Sequence, residues 1–521
     1  MDGATLKPDV DISIQRGDTT LDAPEVKVLL TELRKIASRK GLDFDTPGNL
    51  KHEDYWRLTG ITLADFEKVL KTIDDSINSS SNSSPRACLA IFLMKLRTGL
   101  SYSILSTLFA VSRQVIGRAI RTVRKALMEN LVPKHLGLNH ITRDHVIKEH
   151  KRPSAQAMFG QNDDTAILVA DGTYVYIQKS SNYDFQRRCF SMHKKRPLVK
   201  SVRVVTTTGY IVEVFGPYFA DGSILTEKMK SEADGLRTWL HENDVSVVDR
   251  GFSDCLKFLE DLSLIAKMPY FLPKGQKQQT AQEANESRLV TSIHWVVEST
   301  NGLLKTFKAL DHVMPNTQIP YIGDYVRIVA SLCNAFRPPR ITEDESARIV
   351  AERMLQLSKL PNELEIRAKA ENWARRKLIW QTMDAASHLT QEELQQIVGV
   401  GKYQLKPAVS YTEEHLDDSG LYELFVHKGA PDVLRVQIQS SAIHTLWVQY
   451  HRTGISTWYC QCKVGSRIMG GCAHVASVLW YLAYSRHLRN QPRRPSSNYE
   501  EYLEGAGIEW SDEEEGDNEA L

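Results

Sequence analysis

The sequence predicts a multidomain α/β protein, and three stretches carry that expectation. Residues 165–310 alternate β-branched and aromatic runs with helical spacing, and residues 85–130 are helical almost throughout. Three cysteines and a histidine fall together at 460–474, after a set of strand-like runs at 421–459. The expected architecture is an all-α N-terminal part, a mixed α/β core and a small C-terminal α+β module.

The core is the most informative block. Residues 167–177 (ILVADGTYVYI), 197–208 (PLVKSVRVVTTT) and 210–218 (YIVEVFGPY) read as three strands, the last two joined by a turn at Thr208–Gly209. A helix over about 224–242 leads to a short buried strand, 245–248. A second helix covers about 253–262, a strand 266–272, and a long helix about 285–309. This βββαβαβα order is that of a ribonuclease-H-like fold.

Three acids hold telling places in that order. Asp171 lies within the first strand (VADGT), Asp249 ends the fourth (VVDRGF), and Glu298 sits on the last helix (HWVVESTNGLLK). A carboxylate inside an apolar strand is costly unless it is paired or ligates a cation. Most single acids at strand ends are ordinary turn carboxylates; three on three specified elements are harder to dismiss. In this fold such acids converge. Together they can hold two hard cations, Mg²⁺ or Mn²⁺, about 3.5–4 Å apart, one on the attacking and one on the leaving oxygen of a phosphodiester. Phosphate contacts are expected around them. Asn301 and Lys305 share the Glu298 helix face, His294 lies a turn earlier, and Arg288 lies further up. Lys194, Lys195, Arg196, Lys200 and Arg203 lie on or beside the second strand, next to Asp171.

A formal charge of +1, from 65 basic and 64 acidic residues, argues against a nucleic-acid partner only until the chain is divided. Residues 85–152 carry +10, while residues 1–84 carry −4 and residues 495–521 carry −10. The neutral total is a cancellation. Within the basic block, residues 101–128 (SYSILSTLFAVSRQVIGRAIRTVRKALM) read as a helix-turn-helix. Ile104, Leu105, Leu108 and Phe109 make one apolar face, and Ser112 is a good N-cap for the second helix. That helix buries Ile116, Ala119, Ile120, Val123 and Leu127, leaving Arg113, Gln114, Arg118, Arg121 and Lys125 outward, as a double-stranded-DNA reader requires. The plainer alternative is an amphipathic pair with a solvated basic face; the local charge favours DNA.

Cys460, Cys462, Cys472 and His474 form C-x-C-x₉-C-x-H, a full tetrahedral set for one structural Zn²⁺. Gly465, Gly470 and Gly471 let the intervening loop turn tightly. A closed set of four ligands leaves no open position, so no catalysis is expected there. Cys88, Cys189, Cys255 and Cys333 lie far apart and read as reduced core residues. No run approaches a membrane span, no signal peptide opens the chain, and no Walker A loop calls for a nucleotide. The expected divisions are 1–54, an extension disordered over 1–22 with a helix at 25–38, and 55–152, carrying the helix-turn-helix. The catalytic core follows at 153–340, a helical linker at 341–399, the zinc module at 400–490, and a disordered acidic tail at 491–521. A Ser/Asn run at 76–84 reads as a flexible link.

The strings ADGTYVYIQKSSNYDFQRRCFS, VVDRGF and ESRLVTSIHWVVESTNGLLK closely resemble DDE transposases of the PIF/Harbinger type. The preceding WRLTGITLADFEKVL and the helix-turn-helix ending in VPKHLG extend the resemblance over roughly 55–340. It implies that Asp171, Asp249 and Glu298 are catalytic metal-binding acids in cut-and-paste transposition, in which water cleaves the element ends and the freed 3′-hydroxyl attacks target DNA. His294 stands where many relatives carry arginine. The Cys/His spacing resembles the SWIM zinc finger, a module linked to DNA or protein binding. The resemblance further implies a nuclear protein acting as a homo-oligomer on double-stranded DNA. The rival expectations are a domesticated DNA-binding or scaffolding protein without cleavage activity, and a host nuclease without strand transfer.

Overall fold

The computed structural model describes residues 41–77, 84–219, 234–371 and most of 424–485, with omissions at 47 and 262 and isolated positions at 24–31 and 390–412. The expected disorder at 1–22, most of the helix at 25–38, the Ser/Asn run, most of the helix at 224–242, the later linker and the acidic tail lie outside the described residues. The chain divides into two units, Met1–Leu131 with Phe307–His312, and Val132–Thr306 with Val313–Leu521.

The first unit is helical: α1 (His52–Thr59), α2 (Leu63–Ile73), α3 (Pro85–Thr98), α4 (Tyr102–Phe109) and α5 (Arg113–Asn130). Ser84 caps α3 ahead of Pro85 at the first helical position, and Gly99, at φ 74°, ends it in the left-handed region. Every residue from Cys88 to Leu96 is buried, so α3 is the centre of this unit rather than an amphipathic surface helix. Its one buried cation, Lys95, donates to the carbonyls of Gly99 (3.2 Å) and Leu100 (2.8 Å). Of the expected apolar face on α4, Leu105 and Phe109 are buried, while Ile104 and Leu108 are 47% and 37% exposed. A helix of eight residues offers one i, i+4 row to the core, and the neighbouring row faces out.

In the second unit, α6 (Val132–His135), α7 (Arg143–Glu149) and α8 (Pro153–Phe159) precede β1 (Ile167–Tyr176). There follow α9 (Tyr183–Cys189), the two-residue β2 (Phe190–Ser191), β3 (Arg196–Thr206) and β4 (Ile211–Tyr218). Then come α10 (Asp234–Trp239), β5 (Val245–Val248), α11 (Leu256–Asp261), β6 (Ile265–Lys267) and the long α12 (Ala281–Lys305). The sheet runs β4-β3-β1-β5-β6, with β2 pairing the start of β3. β1, β3 and β4 are antiparallel, whereas β1, β5 and β6 are parallel, so β1 is the central strand. The mixed sheet follows the expected run of strands along the chain, with α9 and β2 added between the first and second of them. β6 is shorter than expected because Pro269 cannot donate to a ladder. α12 begins at Ala281, earlier than its apolar spacing suggests, because Thr280 and Glu283 form a capping box.

The start of the parallel pair is fastened by a buried ion pair. Asp244 is 1% exposed and accepts from Arg143 Nε (2.8 Å) and Nη2 (2.7 Å) and from the backbone of Ala166 and His241 (2.8 Å each). Removing Asp244 leaves buried Arg143 with the exposed carboxylate of Asp164 (3.2 Å) as its remaining anionic partner among the described residues. Asp244→Ala is therefore expected to destabilise this unit by about 3–5 kcal/mol, read as a shift of the urea midpoint. A change below about 1 kcal/mol would show that the pair does not fasten β5 to β1.

α13 (Ile322–Phe336), α14 (Ser346–Ser358) and α15 (Glu363–Ala370) follow, then the antiparallel meander β7 (Leu424–His427), β8 (Ala430–Gln439), β9 (Ile443–His451) and β10 (Gly454–Cys460). α16 (Ala473–Ala483) covers one face of that sheet, burying Leu434, Val436, Leu446 and Val448 with Val475 and Leu479. The other face packs Val433, Trp447 and Tyr459 against Leu364 and Ala368 of α15.

Candidate active site and metal centre

The register of the sheet brings two of the acids together. Ala170 of β1 pairs with Val248 of β5 in parallel, so Asp171 and Asp249 are the next residues along two neighbouring strands. α12 crosses β1 and supplies the third acid, Glu298. Asp171 is the deep member, half-buried, while Asp249 and Glu298 are exposed at the rim. Burial pushes the Asp171 carboxyl above its usual range, opposed by His294, Arg203 and the Asn301 hydrogen bond and reinforced by Asp249. Burial also raises Glu298, and the charges of Asp171 and Asp249 raise it further, against the pull of His294. Asp171 and Glu298 each feel the charge of Asp249, and carboxylate oxygens are the donors that hard divalent cations take. Among the described residues, the ligating side chains close enough to share one ion are those of the Cys/His cluster.

The groups around Asp171 have separate duties. Asn301 Nδ2 donates to Asp171 Oδ2 at 2.8 Å and so orients that carboxylate. Arg203 stands directly opposite Asp171 on β3 and is 1% exposed. Burial pushes its guanidinium down to about 9, and Asp171 pulls it back up. Arg203 was expected among the phosphate contacts; buried as it is, it serves as an internal counter-charge to Asp171. His294 is buried, with Nδ1 3.9 Å from Glu298 Oε1 and Nε2 without a hydrogen-bond partner among the described residues. Spacing along the helix had identified His294, but nothing in the sequence pointed to Arg203 as an interior charge.

The remaining basic residues fall into two groups. Lys194, Lys195 and Arg196 are exposed and Lys200 and Lys305 half-buried. Two tyrosines of β1 gather three of them: Lys194 and Lys305 lie 5.3 and 4.4 Å from the Tyr174 ring centre, and Arg196 lies 4.1 Å from that of Tyr176. Arg288 does not belong to this cluster. It is ten residues before Glu298, about 15 Å along the helix, with its guanidinium pushed down to about 10 by burial and by the neighbouring Arg467. In the first unit, Arg113, Gln114, Arg118, Arg121 and Lys125 all lie on the exposed side of α5, whose other side buries Ile116, Ala119, Ile120, Val123 and Leu127.

The ligand atoms of Cys460, Cys462, Cys472 and His474 lie within 4.8 Å of one another, and all four residues are buried. Hydrogen bonds from Cys460 and Cys462, with the help of His474, hold the Cys472 thiol well below the ordinary range against the effect of burial. Three thiol sulfurs and an imidazole suit Zn²⁺, and a Cys₃His zinc centre carries one net negative charge. Arg467, buried beside these thiols, supplies the matching positive charge while donating to the carbonyls of Gly470 (3.1 Å) and Gly471. Gly465 is required by space, since a Cβ there would lie 2.2 Å from the Cys460 carbonyl oxygen. The residues fit the metal. Cys472 also caps α16.

Residues 170–334 match the family described as DDE superfamily endonuclease, and residues 84–133 match the helix-turn-helix of DDE superfamily endonuclease. No curated protein matches the chain. The two family matches cover the second unit's mixed sheet and the α3–α5 helices, and they support a DDE transposase-like, DNA-binding nuclease. Among the described residues no helix is long and apolar enough to cross a membrane.

Proposed function

We propose that this chain is a cut-and-paste DNA transposase of the PIF/Harbinger type, with Asp171, Asp249 and Glu298 as its catalytic acids. What supports the reading is the placement of Asp171 and Asp249 one residue past a paired position on two neighbouring strands, with Glu298 on the helix packed against β1, inside the segment that matches a DDE endonuclease. Two divalent cations, Mg²⁺ or Mn²⁺, would supply charge stabilisation at the attacking and leaving oxygens of the phosphodiester. The chain's own part is preorganisation. Asn301 fixes the rotamer of Asp171, Arg203 offsets its buried charge, and Lys194, Lys200, Arg196 and Lys305 offer cations to the DNA backbone beside it. The proposal includes nuclear action on double-stranded DNA and an assembly of two or more copies, since two element ends must be held together. It also includes a SWIM-type zinc module at the C-terminus.

The direct test is metal-dependent nicking of a duplex carrying the terminal inverted repeats that flank the coding sequence. Cleavage at the repeat ends with Mg²⁺ or Mn²⁺ supports the reading; an intact duplex under both metals contradicts it. End recognition is assigned to α5. Each of Arg113→Ala, Arg118→Ala and Arg121→Ala that removes a phosphate contact is expected to reduce the slope of log affinity against log salt by about 1. Slopes equal to wild type in all three variants would place DNA binding elsewhere.

A further inference from the structure

The loop that carries the Cys/His centre is hydrogen-bonded to the start of the helix that carries Glu298, and both lie in the same unit. Gln278, two residues before the Thr280 cap, donates from Nε2 to the carbonyls of Cys460 (2.7 Å) and Cys462 (2.8 Å). Its Oε1 accepts from the Tyr459 hydroxyl at 3.0 Å. The next residue, Gln279, donates its backbone N–H to Lys463 O (2.9 Å), and its carbonyl accepts from Ser466 Oγ (2.6 Å). One turn into α12, Asn285 is wholly buried. Its Oδ1 accepts from the N–H groups of Ile468 (3.0 Å) and Met469 (3.2 Å), and its Nδ2 donates to Ser358 O at the end of α14 (3.3 Å).

The contacted groups are chiefly backbone atoms of residues 460–469, including the carbonyls of two proposed metal ligands. That loop lies between β10 and α16 and has no helix or strand of its own. Its shape depends on what draws Cys460, Cys462, Cys472 and His474 together. α12 is a single helix of 25 residues, and Asn285 precedes Glu298 by about 20 Å of stiff rod. Fixing the near end of that rod fixes the direction in which Glu298 points.

We propose that the Cys460–His474 centre is a zinc-dependent clamp on the start of α12, with Gln278 and Asn285 as positioning residues that pass its order to Glu298. The proposal rests on the reading of Asp171, Asp249 and Glu298 as a divalent-cation site. It makes the two metal centres coupled. Zinc in one strengthens Mn²⁺ binding in the other, and by linkage Mn²⁺ strengthens zinc binding by the same factor.

Hydrogen–deuterium exchange on the intact chain tests this, zinc-loaded, after chelation, and after zinc is restored. Zinc removal is expected to speed exchange in residues 278–305 by roughly tenfold or more and to weaken Mn²⁺ binding by about 5–150-fold. Restoring zinc reverses both. Asn285→Ala is expected to retain zinc yet show faster exchange in the same helix. Gln278→Ala, at a half-buried position outside the helix, provides the milder second variant. If chelation deprotects 424–485 and leaves 278–305 unchanged, the clamp is overturned. If zinc-loaded wild type binds no Mn²⁺ while exchange in 278–305 still follows zinc, the clamp on the helix stands and the cation-site reading fails.

Discussion

Glu298→Gln is expected to lower metal-dependent DNA cleavage by at least about 10³-fold, the equivalent of about 4 kcal/mol of lost transition-state stabilisation. Glutamine keeps the size of the side chain and one carbonyl oxygen but removes the charge that helps hold a divalent cation. Glu298 is exposed at the rim of the site and pairs only loosely with His294, so the fold has little reason to change. DNA binding through α5 should be retained. Nicking and fluorescence anisotropy, run side by side on the same duplex, separate the two effects. A variant that cleaves at the wild-type rate would remove Glu298 from the catalytic set.

Loss of the zinc centre carries the second large effect. Cys472→Ser is expected to abolish zinc binding and to destabilise residues 424–485 by on the order of 10 kcal/mol, since structural zinc binding of about 10–16 kcal/mol is folding free energy in small modules. Two features concentrate the cost at Cys472: it is a proposed ligand and it caps α16. Buried Arg467 would also lose the negative charge that offsets it. Zinc analysis by mass spectrometry and a thermal unfolding curve check the prediction. An unchanged melting profile with no bound zinc would mean that the meander and α16 hold themselves together.

Much of this was legible in the sequence, for identifiable reasons. β-Branched alternation and short polar turns marked β1, β3, β4 and β5, and an acid in an apolar strand is conspicuous because its burial is costly. Ligand spacing marked the Cys/His centre. What the sequence left hidden depends on long-range packing. Arg203 looks like its neighbours Lys194 to Lys200, and only the β1–β3 register places it inside, opposite Asp171. Arg288 shares the long helix with Glu298, yet it lies beside Arg467 because α12 extends well before Glu298 and reaches the loop that carries the Cys/His cluster. Gln278 and Asn285 are unremarkable amides until the loop at 460–469, nearly two hundred residues later, comes to lie against them. The apolar face of α4 was overdrawn because spacing alone cannot tell which of two adjacent rows a short helix buries.

The electrostatics of the acids also fix a pH dependence. Burial raises Asp171 and Glu298 in the folded protein, so both carboxyls bind protons more tightly there than in the unfolded chain. Without metal, the folded state is favoured at low pH by this effect, which is lost as pH rises from the ordinary carboxylate range through the raised folded values. Cations need the ionised acids, so metal binding weakens as pH falls through that same window and releases protons as it occurs.

The central claim is that Asp171, Asp249 and Glu298 form one cation site. Calorimetric titration of Mn²⁺ into the zinc-loaded full chain and into Asp249→Asn tests it most directly. Wild type is expected to bind two Mn²⁺ ions with proton release that grows as pH is lowered towards the carboxylate range, and the variant is expected to lose at least one of them. Equal Mn²⁺ binding by wild type and Asp249→Asn would contradict the claim.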